Sequence, residues 1–193
     1  DERLRSCGAE LTAAARPRWV WRPFPLELGE GRVSCAGMDI ESAHLRRHLE
    51  GCTGAVLFAA TLGAETDRLL HRAAVTDMRR AVILQACAAS LLERYCDQCC
   101  REIGEQAAGE GLYLRPRFSP GYGDFPITFQ RALLEAVEAP KRIGLTATGA
   151  MMLTPAKSVT AVVGLSPDGR YTRPGGCGDC GSCPRTTCPY RLE

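Results

Sequence analysis

One long amphipathic pattern near the middle of the chain constrains the fold more than any other feature. A stripe of mostly apolar residues recurs there every three or four positions over about seven helical turns. Thr76 or Asp77 can cap the start of this helix, and Gly109 and Gly111 end it. The stripe comprises Met78, Ala81, Val82, Gln85, Ala88, Leu92, Tyr95, Cys99 and Ile103. It is the strongest secondary-structure prediction in the chain.

The other predicted elements are short and of both types. Further helices are predicted at residues 39–50, 63–74 and 127–139, the last one stopped by Pro140, and strands at residues 54–62, 149–153 and 158–165. Residues 16–37 carry three prolines and three glycines and are expected to be irregular, with a short strand around Val33. The pattern as a whole predicts an α+β fold.

Length and composition suit one domain with a short appendage. The chain has 193 residues, and its composition shifts to Gly, Cys and Pro near residue 174. We therefore expect one domain over residues 1–173 and a cysteine-rich tail over residues 174–193. The 24 Lys and Arg nearly balance the 22 Asp and Glu, which makes no case for nucleic acid or an anionic membrane. No apolar run reaches the roughly 20 residues of a spanning helix, and no signal sequence is visible, so we expect a cytoplasmic protein.

Four of the eleven cysteines form a regular cluster in the tail. They follow the spacing C-x2-C-x2-C-x4-C at Cys177, Cys180, Cys183 and Cys188. This is close to the C-x2-C-x2-C-x3-C-P run of bacterial ferredoxins and predicts an iron–sulfur cluster, such as 4Fe-4S. Four thiolates also suit tetrahedral zinc. A redox thiol cluster and a metal-free tail are the remaining alternatives.

A loop at residues 117–124 has the composition of a ligand-binding turn. Pro120 and the glycines at 121 and 123 allow a ligand to approach the backbone closely. Arg117 can hold a carboxylate with two parallel bonds, and Tyr122 offers a flat face and a hydroxyl. From the residues alone, two interpretations stay open. The loop grips an amino-acid or nucleoside group, or it is a structural turn, which is the commoner case for Pro-Gly turns.

The order of motifs from this loop onward resembles a known family. The sequence RFSPGYGDFP, then a helix, then IGLTATGAMMLTPAKSV is similar to the activation (reactivation) domain of cobalamin-dependent methionine synthase. That family carries an Arg-Pro-x-Pro-Gly-Tyr loop, then a helix, then a Gly-x-x-Leu-Thr-Glu segment that reaches a Pro and a Ser-Val strand. The resemblance covers about residues 75–172. It departs from the pattern at Phe118, which replaces a Pro, and at Gly149, which replaces the Glu.

The resemblance implies a domain with a mixed or antiparallel sheet that binds S-adenosylmethionine. Arg117 is expected to pair with the ligand carboxylate, and Glu93 on the long helix to take its ammonium. The remaining residues that fall on the family's ligand-binding positions are Ser119, Gly121, Tyr122 and Tyr171.

The resemblance further implies a partner, because the sequence contains no cobalamin-binding motif of the form Asp-x-His-x-x-Gly. We expect an accessory component of a methyltransferase system that acts on a separate cobalamin-binding methionine synthase or other corrinoid protein, together with an electron donor. If the tail holds an iron–sulfur cluster, the cluster could relay the electron from this donor to the corrinoid protein. The alternative function is an iron–sulfur electron-transfer or corrinoid-protein-binding adaptor without a methyl-transfer role, which the missing acid at Gly149 favours.

Overall fold

The structure is a computed structural model that describes residues 2–169. An antiparallel sheet of six strands forms its centre. In chain order the elements are α1 (Glu2–Ala14), β1 (Arg18–Leu28), β2 (Arg32–Cys35), β3 (Met38–Glu41), α2 (Ala43–His48), β4 (Gly54–Thr61), α3 (Ala64–Thr76), α4 (Met78–Ala108), β5 (Tyr113–Leu114), α5 (Phe129–Ala136), α6 (Ala139–Ile143), β6 (Thr146–Ala147), β7 (Leu153–Thr154) and β8 (Ser158–Ser166). The strand order in the sheet is β3-β2-β1-β4-β8-β5, and β6 pairs with β7 separately.

The central strand β4 divides the interior into two apolar cores. It pairs with β1 on one side and with β8 on the other along its whole length, and all of its residues after Gly54 are buried. Because side chains alternate across a strand, Val56 and Phe58 pack under α1, α3 and α4, while Ala55 and Leu57 pack under α2, α5 and α6. Helices therefore cover both faces of the sheet.

The helix α4 is the element that the sequence predicts best. It begins after Asp77, whose side chain accepts a hydrogen bond from the Arg80 amide, and Gly109 caps its end. Its buried stripe differs from the predicted one in the first turns, where Met78 and Val82 are 66% and 64% exposed. The stripe that packs on the sheet is Ala81, Leu84, Ala88, Leu92, Cys96, Cys99, Ile103 and Ala107.

Two predictions about the first fifty residues were wrong. Residues 18–28 form a regular strand despite Pro23 and Pro25. β2 pairs with β1 only from Leu26 onward, so the proline-containing stretch is a sheet edge, where a strand tolerates a missing N–H. The helix expected from residue 39 begins later, because residues 38–41 are strand β3 and Ser42 caps α2 by accepting a bond from the Leu45 amide.

The later predictions hold in outline. Pro140 does not end a helix but lies in the first turn of α6, a position where its missing N–H costs nothing. The strand expected at residues 149–153 is only the two-residue β7, whereas β8 matches its prediction closely. The α+β fold with an antiparallel sheet and a long helix is confirmed. Among the described residues, no helix has both the length and the apolar character that crossing a membrane requires.

Candidate functional site

A cavity of about 960 Å³ lies at the outer edge of the sheet. One wall is the second half of α4, and the other is the segment 112–122 that runs from β5 into the predicted loop. The start of α5 and the first residues of β8 close the remaining side. Its volume is within the range of about 300–1,000 Å³ that is usual for small-molecule sites.

A charged cluster forms one wall of this cavity. The Arg117 guanidinium donates from Nη2 to Glu93 Oε2 and from Nη1 to Asp97 Oδ1, each at 2.9 Å. Glu93 and Asp97 are four residues apart, so they lie on the same face of α4, one turn from each other. The cluster therefore presents one guanidinium and two carboxylates to the same space.

A cysteine thiol lies beside the same guanidinium. Nη1 of Arg117 is also 3.5 Å from Cys100 Sγ. Burial raises the pKa of Cys100, and the bond from Arg117 offsets only part of that effect, so the thiol stays neutral near pH 7. Burial alone lowers the pKa of Arg117, but its bonds to Cys100 and Asp97 outweigh burial and leave that pKa raised. Arg117 is thus a permanent cation in the wall of the cavity.

The loop after Arg117 is shaped by backbone hydrogen bonds. Gly121 has φ = +94° and donates to the Phe125 carbonyl at 2.8 Å, and Tyr122 donates to the Ser119 carbonyl at 3.1 Å. A side chain at Gly121 would adopt a rare backbone conformation and would place its Cβ 3.2 Å from Ile127 Cδ1. Glycine is therefore favoured at this position for a local reason.

The helix α2 and the residues just after it anchor the loop at both ends. Before the loop, Arg115 donates to the Glu50 carbonyl at 2.9 Å, and His48 Nε2 donates to the Pro116 carbonyl at 2.8 Å. After it, Asp124 accepts bonds from the Ala43 amide at 2.8 Å and from the hydroxyl of the α2 cap residue. Asp124 thus caps the N-terminus of α2, because it also accepts a bond from the His44 amide.

Ionisation of two of these anchoring groups is shifted by their surroundings. Burial is the main reason that the pKa of His48 is lowered, and the positive Arg115 lowers it further. The hydrogen bond from Ser42 is the main reason that the pKa of Asp124 is lowered. At neutral pH, His48 is therefore a neutral donor and Asp124 an anion.

The structure brings together the five predicted site residues that it describes. Glu93, Arg117, Ser119 and Tyr122 all line the cavity, and Gly121 shapes the loop between the last two. Sequence reasoning missed Asp97, although its spacing of four residues from Glu93 on a predicted helix was a usable signal.

Five of the predicted residues lie outside the described residues: Tyr171, Cys177, Cys180, Cys183 and Cys188. Their roles remain predictions. The described chain ends at Gly169, beside the ring of Tyr113 in the cavity wall. Within residues 2–169, no group of three or more His, Cys, Asp or Glu side chains is placed to hold a metal ion.

The fold is that of the methionine synthase activation domain. A crystal structure of the MetH reactivation domain bound to AdoHcy is similar to this chain, with a TM-score of 0.64 and 18% sequence identity. The similarity covers 88% of this chain and 66% of that one, so the chain spans slightly less than two thirds of the solved structure. No family model and no curated protein matches the sequence.

Proposed function

We propose that this chain binds S-adenosylmethionine in the cavity and supplies its methyl group during reductive methylation of a cobalamin-dependent methionine synthase or a related corrinoid protein. One observation carries the proposal. The Arg117–Glu93–Asp97 cluster lines a cavity of suitable size, in a fold similar to that of a domain bound to the demethylated form of this ligand.

The cluster has the chemistry to hold the amino-acid end of the ligand. A guanidinium has five N–H donors in a planar fork, and the bonds to Glu93, Asp97 and Cys100 occupy three of them. The remaining donors can bind a ligand carboxylate, and the carboxylate oxygens of Glu93 and Asp97 can accept bonds from a ligand ammonium. A zwitterion therefore finds a partner for each of its charges, and charge-assisted bonds of this kind are the strong ones.

The reaction asks the chain mainly to position its ligand. A corrinoid partner would supply cob(I)alamin, whose cobalt attacks the sulfonium methyl and gives methylcobalamin and S-adenosylhomocysteine. An external donor would supply the electron that forms cob(I)alamin. This chain's residues would hold the amino-acid end and keep the methyl group accessible at the cavity mouth. Positioning of this kind can lower a barrier by roughly 7–11 kcal/mol, and it requires no side-chain acid or base.

The departure at Gly149 does not weaken this proposal. Gly149 lies in an exposed turn between β6 and β7 and is not among the residues that line the cavity. A carboxylate missing there removes no group from the Arg117 cluster, which supports a ligand-binding role over that of an adaptor that has lost its ligand.

For the tail cysteines, we propose an iron–sulfur cluster or zinc, which iron and zinc analysis of anaerobically purified protein distinguishes.

Calorimetric titration with S-adenosylmethionine and S-adenosylhomocysteine tests the proposal. Wild type should bind both, and Arg117→Ala should bind at least about tenfold more weakly, because hydrogen bonds to charged groups contribute about 1.5–3 kcal/mol. Arg32→Ala is a matched control. Arg32 also pairs with two carboxylates, Asp39 at 2.8 Å and Glu41 at 3.2 Å, and it lies on a strand remote from the cavity. Absence of binding to wild type, or equal weakening by both substitutions, would contradict the proposal.

A second assay addresses the partner. Wild type, S-adenosylmethionine, a reductant and a corrinoid protein should together give methylcobalamin, and Arg117→Ala should slow that conversion. Ligand binding without any transfer to cobalamin-dependent methionine synthase would restrict the proposal to another corrinoid partner.

A further inference from the structure

The strand β1 has an open edge along most of its length. Its inner side pairs with β4 from Arg18 to Pro25, whereas its outer side pairs with β2 only from Leu26 to Leu28. Within residues 2–169, no other strand pairs with the outer side. An edge of this kind leaves backbone N–H and C=O groups available to a further strand.

The hydrogen-bonding pattern shows which residues turn their backbone groups to this edge. Where β1 meets β2, the Gly29 amide donates to the Arg32 carbonyl at 3.0 Å. Alternate residues of an antiparallel strand face the same neighbour, so the odd-numbered residues of β1 turn their backbone groups outward. Trp19 and Trp21 are two of them. Among the described residues, no hydrogen bond reaches the outward groups of these two tryptophans.

Prolines limit the length of the available edge. Pro23 and Pro25 are also odd-numbered, and they offer a carbonyl but no N–H to a neighbouring strand. Pro17 lies just before the strand begins. Only Trp19 and Trp21 can therefore exchange both a donor and an acceptor along this stretch. The open edge suits a short extended segment opposite residues 18–22.

The side chains along this stretch are basic. Arg18 and Arg22 lie on the same face as Val20, since side chains alternate across a strand. Arg18 is exposed and forms no ion pair within the described part of the chain, and Arg22 is 48% exposed and reaches Glu138 only at 3.9 Å. No acidic residue occurs in residues 16–25. Acidic side chains opposite the two arginines would therefore stabilise an added strand.

The same charges disfavour a second copy of this chain as the added strand. A symmetric antiparallel pairing that places Trp19 opposite Trp21 satisfies both pairs of backbone groups. That pairing also places Arg18 of each copy opposite Arg22 of the other. Like charges directly opposite each other on neighbouring strands are destabilising. A segment with carboxylates at these two positions turns both contacts into attractions.

We propose that the outer edge of β1 at Trp19 and Trp21 is a docking surface for an extended acidic segment of a partner protein, which joins the sheet as an additional strand. Backbone hydrogen bonds to the two tryptophans align the segment, and carboxylates opposite Arg18 and Arg22 select it. The strands β4 and β8 separate this edge from the cavity side of the sheet, so a partner held here leaves the cavity open. The docking surface does not depend on ligand binding in the cavity.

Tryptophan fluorescence tests this docking surface, because Trp19 and Trp21 are the only two tryptophans of the chain. The probe is a blocked peptide that contains Glu-Val-Thr-Val-Glu, whose valines lie opposite the tryptophans, and its counterpart has Lys in place of both Glu. Wild type should bind the Glu peptide at least about tenfold more tightly than the Lys peptide. The Glu peptide with both valine amides N-methylated should not bind, because it lacks the donors that the edge requires.

A charge reversal on the protein provides the complementary measurement. Arg18→Glu should weaken binding of the Glu peptide at least about fivefold and should strengthen binding of the Lys peptide. Arg72→Glu is the matched control and should leave both affinities unchanged. Arg72 is an exposed residue of α3 that likewise forms no ion pair with any described residue.

The wild-type peptide comparisons decide the outcome even if Arg18→Glu does not fold. Equal binding of the Glu and Lys peptides, or no binding of either, would overturn the proposal. Undiminished binding of the N-methylated peptide would show a contact between charges alone and would overturn it as well. A wild-type dimer in sedimentation whose formation the Glu peptide inhibits would assign the edge to a second copy of the chain instead.

Discussion

Substitution of Gly164 by alanine should destabilise the protein at the point where the loop anchor meets the sheet. Gly164 lies in β8, and an added Cβ there would be 2.5 Å from Cys52 Sγ, 2.9 Å from Arg115 Cγ and 2.9 Å from Leu49 Cδ2. Carbon and sulfur atoms do not approach so closely, so at least one of these groups must move. Leu49 is fully buried, and Arg115 is tied to the Glu50 carbonyl, which leaves little room for adjustment.

The expected size follows from two opposing effects. Overpacking of a dense interior costs about 1–3 kcal/mol. Alanine also restricts the unfolded chain, which offsets about 0.4–1 kcal/mol of that cost. The difference spans about 0–2.6 kcal/mol, and because three atoms crowd the added Cβ we expect Gly164→Ala to lower the free energy of unfolding by about 1–2 kcal/mol. With a urea m-value of about 2 kcal/mol/M, the midpoint falls by about 0.5–1 M while m is unchanged.

A matched glycine provides the control. Gly8 lies inside α1, and an added Cβ there meets no atom within 4 Å. Gly8→Ala should therefore raise the free energy of unfolding by about 0.5–1 kcal/mol, since glycine is unfavourable inside helices. Cys52→Ala combined with Gly164→Ala should recover part of the loss, because it removes the nearest atom. The reasoning is refuted if Gly164→Ala is as stable as wild type, or if the Cys52 substitution adds to the loss.

Two further predictions concern α2 and α4. Because the pKa of folded His48 lies below its usual value of 6.5, the unfolded chain binds more protons at this residue than the folded chain, so the contribution of His48 to the free energy of unfolding is complete above about pH 6.5 and is lost as the pH falls below it. The urea midpoint of wild type should therefore decrease between pH 7.5 and pH 5.5 more than that of His48→Gln. Equal decreases in the two proteins would contradict the assignment. On α4, Leu84→Ala should cost about 2–5 kcal/mol in urea unfolding because Leu84 is fully buried, whereas Val82→Ala should change stability by less than about 0.5 kcal/mol because Val82 is exposed. The reverse ranking would mean that Val82 and not Leu84 is buried, as the sequence predicts.

Local patterns in the sequence were sufficient for the elements that depend on near neighbours. The position of α4, the Asp77 cap and the buried strand β4 follow from spacing and from terminating glycines, which act within a few residues. The loop was recognisable for the same reason, because the positive φ of Gly121 favours glycine at that position itself. The resemblance to the activation domain rests on such local motifs in a fixed order, and the fold that it implies is confirmed.

The tertiary structure decided everything that depends on which segments become neighbours. The sequence around Pro23 and Pro25 does not predict a strand. Only the structure shows that this part of β1 is a sheet edge, where prolines are tolerated. Asp97 became part of the site because the segment after β5 crosses α4 at that turn, twenty residues away in sequence. Among the described residues, the ladder on the outer side of β8 stops at Phe118. Hydrogen bonds and charges between distant residues carry no periodic signal in the sequence, so only the packing of the sheet against its helices determines them.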